Sequence, residues 1–237
     1  LILNMGNAAA AYPERPIRFV VAAVAGSAPD ITSRLVTTEM THELGQQFVV
    51  DPRAGAGGNI GNQLVAQSPP DGYTLSVAPP GIVFSPFLYN RPGYDPLRDF
   101  TAIALLGSVP NVMVVHPSVP ARTLHELTGI ARQQPKKLSY GSGGIGSTNH
   151  LAMEAFKSAA GIDVLHVPYK GATVALVDAI SGQVDIVVVA VSSVAQYVQQ
   201  GKLRGIASLS PRRSSAMPAL PTTAEAGMPQ LVMENWY

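Results

Sequence analysis

The spacing of apolar and polar positions changes repeatedly along this chain, and each change marks an element. Residues 17–23 form a short apolar run that reads as a strand. Past 26–29, Ile31, Leu35, Val36, Met40 and Leu44 recur at helical spacing, with Asp30 expected as the N-cap and Gly45 as the terminator. Residues 48–51 form the next strand. A glycine loop at 55–61 leads into a helical stretch at 62–66, 69–72 make a turn, and 74–78 form a third strand. Strands alternating with helices in this way predict a parallel, doubly wound sheet.

A second α/β unit begins near Ile103. Residues 112–115 read as a buried strand, and 123–133 as a helix opened by a capping box of Thr123 and Glu126. A strand at 138–140, a helix reaching Ala160, a strand at 164–167 and a helix at 173–181 follow. Residues 185–191 are almost wholly apolar, as a strand buried on both faces would be. A helix at 193–200 and a strand at 203–207 complete the unit, and 227–237 return to an extended form. Two α/β units in series, each with strand-to-helix glycine loops, predict a ligand cleft between them.

The loop at 141–148 carries the most chemistry. It reads Gly-Ser-Gly-Gly-Ile-Gly-Ser-Thr, follows a strand and opens into a helix. Backbone N–H groups and hydroxyls at a helix start sit under the positive end of the helix dipole and suit an anion. Nothing basic lies within the loop, so the anion would be held by neutral groups, an arrangement for binding more than for chemistry.

Composition narrows the class. The 237 residues are 46% hydrophobic and 13% charged, which describes a globular chain with a sparsely charged surface. Net charge is +1 with no Lys/Arg block, which argues against nucleic acid and anionic membrane as partners. There is no cysteine, so neither disulfide nor thiol chemistry arises. At the start, residues 1–7 precede four alanines, the pattern of a signal-peptide remnant with a small-residue cleavage site, or else a disordered terminus. No apolar run approaches the ~20 residues of a membrane span, so direct membrane insertion is not expected.

Other chemistry fails in detail. The 55–61 loop has Ile60 where a dinucleotide fingerprint needs glycine, and no acidic residue ends the following strand. The 141–148 loop lacks the lysine of a phosphate loop, and neither Ser142 nor Ser147 has glycine at both flanking positions of a nucleophile elbow. His42, His116, His125, His150 and His166 are dispersed without metal-ligand spacing, so no metal and no cofactor is expected. His150 reads as a partner for nearby backbone, and His166 as a satisfied imidazole in an apolar strand.

Several segments taken together resemble one family. They are YPERPI at 12–17, RAGAGGNIG at 53–61, PDGYTL at 70–75, YDPLRDF at 94–100, HVPYKG at 166–171, GQVD at 182–185, GKLR at 201–204 and PTTAEAG at 221–227. The chain resembles the Bug family, periplasmic solute-binding proteins of tripartite tricarboxylate transporters. The resemblance implies a two-domain Venus-flytrap fold of α/β type, no catalysis, periplasmic location after export, and membrane permease subunits as partners. It also implies a carboxylate solute: a dicarboxylate, tricarboxylate, amino acid or aromatic acid. The implied jaws are Gly26, Ser27 and Ala28 in the first domain, and Ser142, Gly143, Gly144, Gly146, Ser147 and Thr148 in the second. Asp30, Pro80, Tyr169 and Gly171 stand at neighbouring strand-to-helix turns as further candidates, Tyr169 and Gly171 being equally suited to packing.

The implied division is 12–108 with 226–237 as a first domain, 109–225 as a second, and 1–11 outside both. Hinges are expected near 107–112 and 227–232. The family's first loop, usually rich in proline and glycine, is here AAVAGSAPD at 22–30, where the Ser27 hydroxyl could replace a lost contact. Val189 and Ala190 stand where members commonly carry an Asp-Asn pair, which favours a more apolar acid. Members continue beyond the equivalent of Tyr237, so exposed apolar surface is expected on the first domain. An α/β hydrolase or nucleotide-dependent oxidoreductase, and a binding protein coupled to a signalling sensor, are the competing readings.

Overall fold

The computed structural model describes residues 12–237. The alanine-rich start read as a signal-peptide remnant lies outside them.

The first sheet is parallel, in the order β2-β1-β3, from β1 (Ile17–Val21), β2 (Phe48–Pro52) and β3 (Thr74–Val77). The crossovers are α1 (Ala28–Leu44) and a 3₁₀ turn (Ala56–Gly58) running into α2 (Asn59–Ala66). A further helix, α3 (Gly81–Leu88), begins directly after Pro80 and was not expected from the apolar spacing. Ile17, Phe19, Phe48 and Val77 form the buried core of this lobe.

α1 departs from expectation at both its start and its face. Its N-cap is Ser27, not Asp30, which sits in the first turn; Gly45 ends the helix in the left-handed conformation as expected. The apolar positions Ile31 and Leu35 are exposed, while Ala28, Asp30, Ser33 and Thr37 face inward. The inward hydroxyls are satisfied locally: Ser33 donates to the Pro29 carbonyl at 2.7 Å and Thr37 to that of Arg34 at 3.3 Å. Small polar groups can therefore pack against the sheet without leaving donors unpaired.

The second sheet runs β6-β5-β7-β4-β8, with β9 added to β4. Its strands are β4 (Ser108–Val115), β5 (Ser139–Ser142), β6 (Leu165–Pro168), β7 (Ile186–Ala190), β8 (Arg204–Ser208) and β9 (Glu234–Trp236). β5, β6 and β7 are mutually parallel, whereas β4 runs antiparallel to β7, β8 and β9. This sheet is thus mixed, because β4 enters from the other lobe against the direction of its neighbours. The helices are α4 (Leu124–Gln133), α5 (Thr148–Ala160), α6 (Ala172–Ile180) and α7 (Val191–Gln199).

The apolar strands explain this lobe's stability. All five residues of β7 are buried, and they alternate between two cores. Ile186 and Val188 join Met113, Val115, Met153 and Phe156 on one face; Val187 and Val189 join Val112, Val114, Leu176 and Val194 on the other. A period of two thus supplies both cores from one strand.

The lobes are joined twice. β4 passes from one to the other, and β9 returns beside its first residues, with Ser108 opposite Trp236 and Pro110 opposite Glu234. The returning strand lies later than the expected 227–232. Leu231 is instead buried in the second lobe's core, where its carbonyl accepts the Thr223 hydroxyl at 2.6 Å.

Candidate functional site

A cleft of about 110 Å³ lies between the lobes. Its walls are largely the starts of helices: Ser27 and Ala28 of α1, Gly81 of α3, Thr148 and Asn149 of α5, Ala172 and Thr173 of α6, and Ser193 of α7. Helix starts carry unpaired N–H groups and roughly half a positive charge each. Lys170, just before α6, adds a full positive charge. Among the described residues lining the cleft none is acidic, and Val24, Leu176, Val189 and Ala190 provide apolar wall. The electrostatics therefore favour an anion with a carbon skeleton and give no carboxylate partner to an ammonium group.

The loop between β5 and α5 is held by its own polar side chains. Gly144 (φ 106°) and Gly146 (φ 81°) adopt backbone angles that side chains rarely allow. Ser147 is the N-cap of α5, its hydroxyl accepting from the His150 N–H. Asn149 Oδ1 accepts the Gly143 N–H at 3.1 Å, and the Gly144 N–H donates to Ser142 Oγ at 3.1 Å. At the first helical position Thr148 is buried, and its hydroxyl has no partner.

Across the cleft the first lobe is tied from behind. The Gly26 N–H donates to Asp30 Oδ2 at 2.8 Å, and Arg34 pairs with the same oxygen at 3.1 Å. Ser27 donates its hydroxyl to the Val24 carbonyl at 2.6 Å.

The two lobes touch backbone to backbone along a seam beside the cleft. A Cβ at Gly57 would collide with the Ile145 carbonyl, one at Gly81 would lie 3.2 Å from the Gly146 carbonyl, and one at Gly144 would lie 3.3 Å from the Gly57 nitrogen. Tyr89 spans the seam, donating its hydroxyl to the Ile145 carbonyl at 2.7 Å. On the other side Gly171 packs so tightly on Val24 that a Cβ would come within 2.6 Å. The 55–61 loop, unproductive as a nucleotide motif, is one half of this seam.

Of the residues expected at the site, Ser27, Ala28, Gly143, Ser147, Thr148 and Gly171 line the cleft. Seven do not. Gly26 and Asp30 bond to each other behind α1, and Pro80 is the buried residue from which α3 starts. Ser142 faces His166 at 2.6 Å, Gly144 and Gly146 give their N–H groups to side chains of their own loop region, and Tyr169 donates to Asp178 at 2.7 Å. Burial and that carboxylate together push the Tyr169 phenol up to about 12.

Sequence reasoning missed Asn111, Asn149, Lys170, Ser193, Asn235 and Tyr237, all of which line the cleft. Asn111 had a legible signal, a lone amide in an apolar strand. It is buried and donates to the Met233 carbonyl at 3.1 Å, while Asn235 donates to its oxygen at 2.8 Å. A second hollow of about 640 Å³, walled by Met217 and Leu220, gathers no helix starts. Its Arg204 is committed to the Val119 and Ala121 carbonyls.

Two α/β lobes joined by paired crossing strands, closing on a cleft of helix starts, define a two-lobed solute-binding protein. Comparison with known proteins makes the class particular. Residues 32–237 match the profile of the tripartite tricarboxylate transporter family receptors, and the chain belongs to that family. It is a receptor of that kind and not an enzyme. It is 34% identical to the protein BugT of Bordetella pertussis over 95% of this chain and 70% of that one. A solved R. palustris protein with adipate is 36% identical, with a TM-score of 0.90 over 95% of this chain and 76% of that one. The MatC protein of Rhodopseudomonas palustris, solved with malate, is 29% identical, with a TM-score of 0.90 over 95% and 77%. No helix among the described residues is long and apolar enough to cross a membrane.

Proposed function

We propose that the cleft captures a small aliphatic or aromatic carboxylate in the periplasm and presents it to the permease subunits of a tripartite transporter. One observation carries this reading: several helix starts and Lys170 converge on a cleft whose described walls hold no acidic side chain. The relatives solved with adipate and malate support the same class of solute. Val189 and Ala190 in the wall favour a carbon skeleton without an ammonium group, and the unpartnered Thr148 hydroxyl provides a donor for a carboxylate oxygen.

Within this reading residues 12–108 and 109–225 form the two jaws, and 226–237 carry the chain back toward the first. The β4–β9 ladder is the hinge. Jaw residues are Ser27, Ala28, Gly143, Ser147, Thr148, Lys170 and Gly171.

Thermal unfolding against mono-, di- and tricarboxylates and amino acids tests the proposal. A ligand at ~100 times its dissociation constant stabilises the protein by ~2.7 kcal/mol. The expected result is such a shift with an aliphatic or aromatic acid. No shift with any acid, or a larger one with an amino acid, overturns it.

A further inference from the structure

Behind the 141–148 loop lies a cluster that ligand contact does not use. Tyr140, His166 and His150 form a stack, with ring centroids 4.7 Å apart for Tyr140 and His166 and 4.5 Å for the two imidazoles. Each imidazole is tied to a different part of the loop. His150 Nδ1 accepts the Gly146 N–H at 3.3 Å. His166 Nε2 lies 2.6 Å from Ser142 Oγ, which itself accepts the Gly144 N–H at 3.1 Å.

The protons in this chain can be placed. The Gly144 carbonyl accepts the N–H of Ser147 at 3.2 Å and lies 2.6 Å from its hydroxyl, which shares its one proton between this carbonyl and Asn149 Oδ1 at 2.5 Å. It lies 3.4 Å from Ser142 Oγ, a much longer contact than the 2.6 Å to His166 Nε2, so the imidazole is the better acceptor for the Ser142 proton. Both imidazoles therefore act as acceptors, a role that only the neutral ring can fill. Protonation would set an N–H against the Gly146 N–H, and would leave the Ser142 proton only the longer, 3.4 Å contact to the Gly144 carbonyl.

The charged and titratable neighbours do not cancel this preference. Glu154 and Lys157 of α5 and Tyr140 of β5 are the groups facing the pair among the described residues. Tyr140 donates to Glu154 at 2.6 Å and Lys157 pairs with the same oxygen at 2.8 Å, so the carboxylate is spent on them. Burial lowers both imidazoles from their ordinary value, His166 to about 4 with His150 contributing second.

We infer that His150 and His166 are positioning residues, neutral acceptors that hold the Gly146 and Gly144 amides and make the shape of the ligand loop sensitive to acid. The consequence for capture rests on the proposed carboxylate site; the consequence for the loop does not. The sign follows from the depressed pKa of His166. Above its unfolded value of ~6.5 both folded and unfolded forms are neutral, and its contribution to stability is fully present. As pH falls from there through about 4, only the unfolded chain takes up the proton first, and that contribution is lost.

Two measurements test this. In the ligand-free protein, NMR follows the ring nitrogens of His150 and His166 together with the exchange protection of the Gly144 and Gly146 amides as pH is lowered. Loss of protection tracking the imidazole titrations is expected, and protection indifferent to them overturns the inference. Adipate and malate affinities are then compared between the natural protein and the His150→Gln, His166→Gln double variant, whose side chains keep an acceptor but do not titrate. Their ratio cancels the acids' own protonation. It should move at least about tenfold toward the variant on acidification, and a constant ratio overturns the role in capture. If neither acid binds near neutral pH, the proposed ligand class fails for these two acids, and the amide measurement still decides the role of the histidines.

Discussion

Thr148 stands at the first helical position of α5 with its hydroxyl buried and unpartnered. A buried polar atom without a partner costs about 1–3 kcal/mol, and a ligand oxygen would recover that. Replacing it with the similarly shaped Thr148→Val should therefore have opposite effects on the two states. The ligand-free protein is expected to gain about 1 kcal/mol in denaturant unfolding. Carboxylate affinity by calorimetry is expected to fall about tenfold, which is about 1.4 kcal/mol. Unchanged affinity would remove Thr148 from the site. Asp30 illustrates the converse. Its carboxylate fastens Gly26 and Arg34 and does not line the cleft, so it shapes the jaw from within the first turn of α1. From the sequence its identity as a first-turn acid was plain, but the direction of its side chain was not.

Among the elements, α4 is the one whose start was read most completely. Thr123 accepts the Glu126 N–H as the capping box requires, while Glu126 reaches back to the Arg122 N–H at 2.6 Å, one residue earlier than the simplest box. The helix lies away from the cleft, so Thr123→Ala should lower stability by about 1 kcal/mol in denaturant unfolding while leaving carboxylate affinity as it was. A loss of affinity with that substitution would show that the lobe does not behave as a rigid support. β7 and β4 were legible for the same local reason, since unbroken apolar runs demand burial on both faces. α1 was not. Its period was correct, but Ile31, Leu35 and Leu44 of its apolar stripe are exposed while Met40 packs on the core, and its small hydroxyls are buried. The Gly141–Thr148 sequence was read correctly as a helix start, yet the Gly143, Gly144 and Gly146 N–H groups go to side chains of the loop and of the first turn of α5 and not to the cleft.

At the scale of the molecule, the contact between the two lobes encloses the cleft. At the seam Gly57 and Gly81 let the first lobe's backbone meet that of residues 145–146, where a side chain at Gly57 would collide with the Ile145 carbonyl. Gly57→Ala adds a methyl facing the Ile145 carbonyl, at a residue whose φ is 66°. The strain of that angle alone lowers stability by about 1–2 kcal/mol. Under the proposed hinge closure the obstruction acts only on the closed form, so affinity should fall by at least about tenfold, well beyond the effect on unfolding. Small-angle scattering with saturating ligand would show the natural protein compacting and the variant remaining extended. A variant that closes and binds normally would mean that the seam yields. The proposed hinge, the β4–β9 ladder, is short: three residue pairs.

The sequence by itself determined the class of element at most positions, the two-unit organisation and the family. Apolar period, caps and glycines act within a few residues of themselves, and the family motifs are strings. It also determined that the 141–148 loop starts a helix, because the residue types at a helix start are a local matter. Only the tertiary structure decided which helix starts meet. α1, α3, α5, α6 and α7 begin far apart in the chain, and their charges add up only because two sheets aim them at one cleft. The same is true of the seam, where Gly57 and Ile145 are strangers in sequence, and of Asn111, Lys170 and Tyr237 in the cleft wall. A local signal cannot report a contact whose partner is chosen by the packing of the lobes.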